Sequence, residues 1–441
     1  MRKKLIILSI LMTSLLLLPA CSLNENRKKP SDGISSETAV PEQTAVSHDN
    51  RQDSPLPTPV PTLPQAPSPE PTLGEDEMYK EILYNMTLDE KLGQLLIVGY
   101  SSDEHAENMI KEHMIGGIVL FSRNFDSFEK LYEITGRLKE YNERNPLPIW
   151  IALDEEGCTV SRLPFGKTPI SDPRRIGSFG DAELTEAVGW VIGREMAAAG
   201  TNLDFAPVVD IVDNPENKFM LKRSFGSTPD EVSRHATAFL KGLQSTGIQG
   251  CAKHFPGHGG TPVDSHKNMP ALDATLEEWL AKDAVPFQAM IHAGVEMIMA
   301  GHLAFPEIDP SGLPASMSSV FLKDLLRDRM GFKGLIISDD IEMQGYPQGE
   351  DRKEAIITSF QAGIDLFAIG STPQIQLEVL TALKEGVESG RISEERINES
   401  LMRIISTKMK LKNIPEYSLE EAKTIFGSPE HREALSRIFE D

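Results

Sequence analysis

The sequence has few cysteines and no excess of positive charge. Three cysteines in 441 residues are too few for a disulfide framework. The formal net charge of -22 argues against nucleic acid as a partner, because phosphates attract basic surfaces. It also argues against loose adhesion to an anionic bilayer, and solubility is its simplest consequence. With 40% apolar and 25% charged residues, the composition is that of a globular protein with room for one large domain or two.

The chain also has little that is typical of a membrane span. Its most prominent apolar run, Leu5–Leu18, is short for a bilayer. Basic residues at 2–4 precede it, and Ala20 and Cys21 follow, a pattern typical of an export signal. Residues 18–21, LPAC, resemble a bacterial lipoprotein box. We therefore expect lipidation at Cys21 and an exported protein anchored to the outer face of the cell membrane. An ordinary signal peptide with an incidental cysteine is the alternative.

The other two cysteines, Cys158 and Cys251, are expected to be free thiols, although the sequence leaves a bridge between them open. Residues 22–74 are rich in Pro, Ser, Thr and Gln, and proline is dense in Pro55–Pro71. Such a segment buries too little apolar surface to fold and acts as a disordered, semi-rigid spacer. The predicted organisation is a signal peptide at 1–21, a linker at 22–74, a catalytic domain at 75–415 and a helical tail at 416–441.

Short apolar runs recur through the predicted folded part and alternate with helical patterns. Most are continuously apolar, as expected for strands of a parallel sheet that is covered on both faces. Eight strands alternating with helices predict an α/β fold, a single (β/α)8 TIM-type barrel with a helical C-terminal extension. An open doubly wound sheet is the alternative, but no G-x-G-x-x-G follows the first run. The runs are Leu95–Gly99, Gly117–Phe121, Ile149–Leu153, Asn202–Val208, Ile248–Ala252, Met297–Gly301, Leu335–Ser338 and Leu366–Gly370.

Polar side chains cluster where these predicted strands end. In a (β/α)8 barrel the carboxyl ends of the strands meet at one mouth, where catalysis takes place. Acidic groups at several strand ends suit stabilisation of an oxocarbenium-like transition state, as glycoside hydrolysis requires. The strand ends carry Asp154-Glu155-Glu156, Asp204 and Asp210, Lys253-His254, His302, and Asp339-Asp340.

One glycine-rich loop, KHFPGHGGTPVDSHKNMP at 253–270, concentrates titratable residues. Asp264 and His266 are two apart, so in an extended segment both face the same side. The carboxylate of Asp264 is then placed to orient the ring of His266 as a general acid/base. A turn cap beside a surface histidine is the simpler alternative for this pair. A zinc site is disfavoured, because Pro256-Gly257 interrupts the helical spacing between His254 and His258, so neither metal nor cofactor is predicted.

The chain carries several characteristic motifs: the 253–270 loop, MTLDEKLGQLLIVGY at 86–100, LDEEG at 153–157, NLDFAPVVD at 202–210, KRSFG at 222–226 and IISDDIEM at 336–343. Together they resemble glycoside hydrolase family 3 and more closely its bacterial β-N-acetylglucosaminidase (β-hexosaminidase) branch. The resemblance covers approximately 75–411 and implies retaining, two-step hydrolysis without metal. One segment departs from the family's D-Q-E-G-G-R-V-x-R pattern, since Cys158 and Thr159 replace a glycine and an arginine.

The resemblance also implies roles for particular residues. The nucleophile is Asp339, and the acid/base is His266 with Asp264 as its partner. Other residues would bind the sugar: Asp154 as an acceptor for ring hydroxyls, the basic residues as donors to hydroxyls and to the acetamido oxygen. These sugar-binding residues are Asp154, Arg162, Arg223, Lys253 and His254.

The predicted activity is that of an exo-acting, retaining β-N-acetylglucosaminidase, EC 3.2.1.52. It would release terminal β-linked GlcNAc from peptidoglycan fragments or related saccharides. Its expected partners are an oligosaccharide or muropeptide substrate and the membrane, through the lipid anchor, and a monomer is expected. A β-glucosidase or a glycosyl phosphorylase on the same barrel is the nearest alternative. A non-catalytic sugar-binding lipoprotein is the alternative from another class.

Overall fold

The computed structural model describes residues 73–439 except 262, 264, 266 and 267. The predictions for Cys21, Asp264 and His266, and for the segments before residue 73, therefore lie outside the described residues. The first helix begins at Leu73, so the predicted domain start at 75 falls inside it.

Eight parallel strands confirm the predicted barrel. Neighbours pair in sequence order, and β8 pairs with β1. A parallel bridge between Ile337 and Leu366 joins β7 to β8 and closes the ring. Every strand residue is buried, as the continuous apolar runs predict. The strands are β1 Leu96–Gly99, β2 Gly117–Val119, β3 Trp150–Leu153, β4 Leu203–Asp204, β5 Gln249–Phe255, β6 Met297–Ala300, β7 Leu335–Ser338 and β8 Phe367–Ile369.

Helices surround the barrel, and most of their buried side chains form one continuous core with the strands. A smaller apolar cluster joins Tyr79 of the first helix to Leu147 and Ile405. A capping box begins α2, since the Thr87 side chain accepts from Glu90 N while the Glu90 side chain accepts from Thr87 N. A wider π-type helix spans Val320–Arg329. The α-helices are α1 Leu73–Asn85, α2 Leu88–Gly93, α3 Asp103–His113, α4 Phe128–Tyr141, α5 Pro173–Ser178, α6 Ala182–Ala198, α7 Pro229–Gln244, α8 Leu276–Ala281, α9 Ala284–His292, α10 Arg352–Ala362, α11 Pro373–Glu388, α12 Glu394–Met409, α13 Leu419–Ile425 and α14 Pro429–Ala434.

The pattern over 276–292 predicts one helix, but the chain forms two, α8 and α9. Pro286 explains the break, because a continuous helix would leave the carbonyl of Lys282 without its donor and press the proline ring against it. The chain instead turns at Lys282, whose carbonyl accepts from Val285 N at 3.2 Å.

The fifth strand is longer than predicted and the fourth is shorter. Strand β5 continues through Lys253 and His254, so these residues lie within the strand and not after it. Strand β4 keeps only Leu203–Asp204 as regular strand, because Pro207 has no N–H for a ladder. The chain nevertheless stays beside β5, since Val208 bridges to Lys253. This extended contact brings the segment up to Asp210 alongside the mouth of the barrel.

The described part of the C-terminal tail packs against the barrel helices. Glu195 of α6, 1% exposed, accepts hydrogen bonds from Gly427 N at 3.0 Å and from His431 Nδ1 at 3.1 Å. The rings of His431 and Trp190 pack in a T-shaped arrangement with their centres 5.2 Å apart. A membrane-spanning helix is not found in the part of the chain that the structure describes.

Candidate active site

A cavity of about 230 Å³ opens at the carboxyl ends of the strands. This is the end of the barrel at which the sequence places its polar residues. Every sugar-binding residue predicted from the sequence, together with the predicted nucleophile, lines the cavity: Asp154, Arg162, Arg223, Lys253, His254 and Asp339. The predicted dyad Asp264 and His266 lies outside the described residues.

Two basic side chains are locked into the cavity wall by Glu156. Lys253 Nζ lies 2.6 Å from Glu156 Oε1 and 2.9 Å from Asp154 Oδ1. Arg223 donates through Nε and Nη2 to the two oxygens of Glu156, each at 2.7 Å. Burial raises the pKa of Glu156, but the charges of Lys253 and Arg223 outweigh it and bring the pKa to about 2. Glu156, Arg223 and Lys253 are therefore charged at neutral pH, and the ion pairs hold their side chains at fixed positions.

Asp210 holds the backbone and the ring of His254. Its Oδ2 accepts from His254 N at 3.2 Å and from Nδ1 at 2.8 Å, and its Oδ1 accepts from His258 N at 2.6 Å. A carboxylate only accepts, so Nδ1 of His254 carries a proton. Burial raises the pKa of Asp210, but the neighbouring histidines outweigh it and the pKa is lowered overall. Asp210 therefore sets the orientation in which His254 faces the cavity.

Ser265 is fixed from two sides. Its Oγ lies 3.0 Å from His258 Nε2, and its carbonyl accepts from Gly345 N at 3.0 Å. Ser265 also lines the cavity. Burial lowers the pKa of His258, so the ring favours its neutral form. His258 thus supports the loop that carries Ser265.

Asp339 follows β7 directly. Its N–H donates to Ala300 O at 2.9 Å, and its Oδ1 accepts from Asp340 N at 2.8 Å. The next carboxylate, Asp340, accepts from the N–H groups of Glu342 and Gly370. Burial raises the pKa of Asp340 to about 6. The backbone donors tie Asp340 to the loops that follow β7 and β8.

Glu155 organises the loop after β3. The side chain is fully buried, and its Oε2 accepts from Arg162 N at 2.7 Å and Leu163 N at 2.9 Å. Its Oε1 pairs with Lys167 at 2.5 Å. Arg162 thereby lines the cavity, with Nη2 at 3.8 Å from Asp154 Oδ2. Its Nε is buried and meets no hydrogen-bond partner among the described residues.

The departure from the family pattern leaves this loop intact. Thr159 Oγ1 donates to Asp172 Oδ1 at 2.5 Å, which ties the altered segment to the start of α5. Cys158 is exposed and Cys251 is buried, and both are free, as predicted. Burial raises the pKa of Cys251 well above its usual range.

Glu155, Glu156 and Asp210 act here in ways that the sequence did not reveal. Their position at strand ends was the available signal, but neighbouring acids after one strand cannot be assigned separate roles from spacing. Among residues 73–439, leaving out those not described, no group of three or more His, Cys, Asp or Glu is arranged to hold a metal ion.

Comparisons with known proteins agree with this geometry. The profile described as "Glycosyl hydrolase family 3 N terminal domain" matches residues 87–407. A beta-hexosaminidase of Neisseria gonorrhoeae (strain NCCP11945) is 36% identical over 286 residues, covering 63% of this chain and 78% of that protein.

Two solved structures extend the comparison. A glycoside hydrolase family 3 beta-N-acetylglucosaminidase from Paenibacillus sp. str. FPU-7 superposes with a TM-score of 0.76 at 35% identity, covering 80% of this chain and 68% of that one. A beta-glucoside phosphorylase superposes with a TM-score of 0.76 at 28% identity, covering 83% and 67%. The family profile spans most of the chain, and the barrel, the residues at its mouth and the sequence motifs all agree with that match. The protein therefore belongs to glycosyl hydrolase family 3.

Proposed function

We propose that the protein is an exo-acting, retaining β-N-acetylglucosaminidase that releases terminal GlcNAc. The observation that carries this proposal is the convergence of Asp339 with the predicted sugar-binding residues on one cavity. The names of the Neisseria and Paenibacillus relatives support the same substrate class.

The size of the cavity supports action at the end of a saccharide. About 230 Å³ lies below the range of roughly 300–1,000 Å³ that is usual for pockets holding larger ligands. A space of this size suits one sugar ring. The donors Lys253 and Arg223 and the acceptor Asp154, all fixed by ion pairs, are suited to hold its hydroxyls and its acetamido group.

The proposed reaction has two steps. Asp339 attacks the anomeric carbon while the bond to the leaving oxygen breaks, and His266 gives that oxygen its proton. Water then attacks the same carbon, gives a proton to His266 and releases Asp339. Asp264 would orient the imidazole of His266. The position of Ser265 supports this assignment, because it lies between the two dyad residues in the chain and lines the cavity that Asp339 lines.

The test compares aryl glycosides. The wild type is expected to hydrolyse 4-nitrophenyl β-N-acetylglucosaminide faster than the β-glucoside, and addition of phosphate should yield no glycosyl phosphate. Asp339→Ala should lower kcat by roughly 10³-fold or more, and His266→Ala should lower it for aglycones that need protonation. Asp324→Ala, which alters an exposed acid on the Val320–Arg329 helix, is the control.

Each contrary outcome points elsewhere. Full activity of Asp339→Ala would remove the nucleophile assignment. Preference for the glucoside, or glycosyl phosphate as the product, would favour the β-glucosidase or the phosphorylase. Tight sugar binding without turnover would favour a binding lipoprotein.

We propose peptidoglycan fragments as the natural substrate class and the outer face of the cell membrane as the location. The lipoprotein box at Cys21 and the proline-rich linker support a tethered enzyme, which we propose to be a monomer. Metabolic labelling with palmitate tests this, with Cys21→Ser as the control. Label in both proteins, or in neither, would contradict the anchor.

A further inference from the structure

A second carboxylate follows the proposed nucleophile directly. Asp340 is partly exposed and lines the same cavity as Asp339. One of its oxygens, Oδ1, accepts from Glu342 N at 2.9 Å and from Gly370 N at 2.8 Å. Because these donors belong to the loops after β7 and β8, the side chain is held by a neighbouring loop as well as by its own.

The backbone of Asp340 is held as well. Its N–H donates to Asp339 Oδ1 at 2.8 Å, and its carbonyl accepts from His302 Nε2 at 3.2 Å. The His302 ring is buried and is itself fixed, since its Nδ1 lies 2.8 Å from Ser316 Oγ. Side chain, N–H and carbonyl of this one residue are therefore anchored at the ends of β6, β7 and β8, and the N–H that engages Asp339 has a set position.

The charges around Asp340 are mostly negative. The described titratable groups that face it are Asp339 and Glu342 on its own loop and His302 after β6. Glu342 is fixed in turn, since its Oε1 accepts from Thr372 N at 3.0 Å and its Oε2 from Thr372 Oγ1 at 2.7 Å. Burial, together with the charges of Glu342 and Asp339, outweighs the backbone donors and raises the pKa of Asp340 to about 6. The carboxylate of Asp340 is therefore mostly ionised at neutral pH and loses its charge in moderately acidic solution.

A negative charge at this place favours the first step of the proposed reaction. It stabilises the positive charge that develops on the sugar ring in an oxocarbenium-like transition state. As a like charge beside Asp339, it also makes that carboxylate more basic and therefore a stronger nucleophile. The N–H of Asp340 holds one oxygen of Asp339, which restricts the directions from which the nucleophile attacks.

We infer that Asp340 is a positioning residue for the nucleophile, which orients Asp339 through its N–H and places a fixed negative charge beside it. The inference rests on the proposed function, because it takes Asp339 as the nucleophile. It adds the group whose ionisation limits the attack of Asp339 on the acid side of neutrality.

The test compares the wild type with Asp340→Asn, which keeps the size of the side chain and removes its charge. The substrate is 2,4-dinitrophenyl β-N-acetylglucosaminide, whose leaving group needs no proton, so kcat/KM reports the attack of Asp339 without the general acid. At pH 7 Asp340→Asn should lower kcat/KM about tenfold, because the charge and the charge-assisted hydrogen bonds that fix it are lost. Wild-type kcat/KM should fall towards the value of the variant as the pH drops through about 6, whereas the variant should show no break there.

Glu342→Gln gives a second readout that leaves Asp340 in place. Glutamine keeps an acceptor for Thr372 N and removes a negative charge that raises the pKa of Asp340. The break in the wild-type profile should therefore move to lower pH in this variant. Asp324→Asn, which alters an exposed acid on the Val320–Arg329 helix, is the control and should keep both the rate and the break.

The outcomes separate the two levels of the proposal. An unchanged kcat/KM at pH 7 in Asp340→Asn, or a break near pH 6 that persists in it, would overturn the positioning role while leaving the glycosidase intact. If Asp340→Asn does not fold, the profile of Glu342→Gln decides, and a break that stays at the wild-type pH would overturn the role. Failure of the wild type to hydrolyse the aryl N-acetylglucosaminide, or full activity of Asp339→Ala, would overturn the proposed function itself.

Discussion

Replacement of Glu156 by glutamine tests whether a buried charge cluster maintains the cavity. The side chain is 3% exposed and lies within 2.7 Å of both Lys253 and Arg223. Glu156→Gln preserves the shape of the side chain and removes its charge. The two cations then face only one acid, Asp154, so one positive charge of the cluster is no longer neutralised. A buried, incompletely neutralised cation is unfavourable.

The expected loss of stability is about 3 kcal/mol. The pKa of Glu156 falls from its ordinary value of 4.5 to about 2 because Lys253 and Arg223 outweigh the opposing effect of burial, and a tenfold change in acidity is worth about 1.4 kcal/mol. An independent estimate agrees, because removing one member of a buried ion pair generally destabilises a protein by roughly 3–5 kcal/mol. Because the folded-state pKa is depressed, this contribution is present above about pH 4.5 and is lost as the pH falls towards 2.

Urea denaturation at pH 7 and at lower pH measures the effect. The difference in the free energy of unfolding between wild type and Glu156→Gln should be near 3 kcal/mol at pH 7 and should narrow as the pH falls below 4.5. Glu186→Gln is the matched control, since it breaks the exposed pair of Glu186 with Lys241 and should cost less than about 1 kcal/mol. A loss below 1 kcal/mol for Glu156→Gln, or a difference independent of pH, would refute the reasoning.

Three further predictions concern other groups. Asp210→Asn should raise KM and lower kcat/KM by roughly tenfold, because His254 loses its charged hydrogen-bond acceptor, and unaltered steady-state kinetics would contradict this. Burial lowers the pKa of Lys408 in the folded protein well below its ordinary value of 10.5. Between these two pKa values the unfolded state binds more protons than the folded state, so the free energy of unfolding should rise with pH towards 10.5. If the same rise persists in Lys408→Met, this residue is not its cause. An aromatic disulfide reagent should label Cys158 at once and Cys251 only upon unfolding, because one is exposed and the other buried, whereas rapid labelling of both would show that the core opens.

The barrel was predictable because parallel strands covered on both faces leave a strong apolar pattern. All eight runs became strands. The points at which predicted elements are interrupted were harder to predict, although their causes are local. Pro286 interrupts the predicted helix at Lys282, and Pro207 limits β4, and both follow from the missing proline N–H. The extension of β5 through His254 depends on the neighbouring chain at Val208 and has no such local signal.

The site was predictable in its residue types and less so in its internal contacts. Asp154, Glu155 and Glu156 are consecutive, yet the first lines the cavity, the second holds a loop through Lys167, and the third neutralises two cations. Beyond a strand end the alternation of faces no longer applies, so spacing does not separate these roles. Asp210 reaches His254 across 44 residues of sequence, a contact that only the fold creates.

The most direct test of the account is to identify the residue that becomes glycosylated during turnover. A slow substrate with a good leaving group, such as 5-fluoro-N-acetylglucosaminyl fluoride, should allow the glycosyl-enzyme to accumulate. Proteolysis and mass spectrometry are then predicted to find one adduct on the peptide that contains Asp339, and none in Asp339→Asn. An adduct on another carboxylate such as Asp340, or a product of inverted anomeric configuration, would contradict the account.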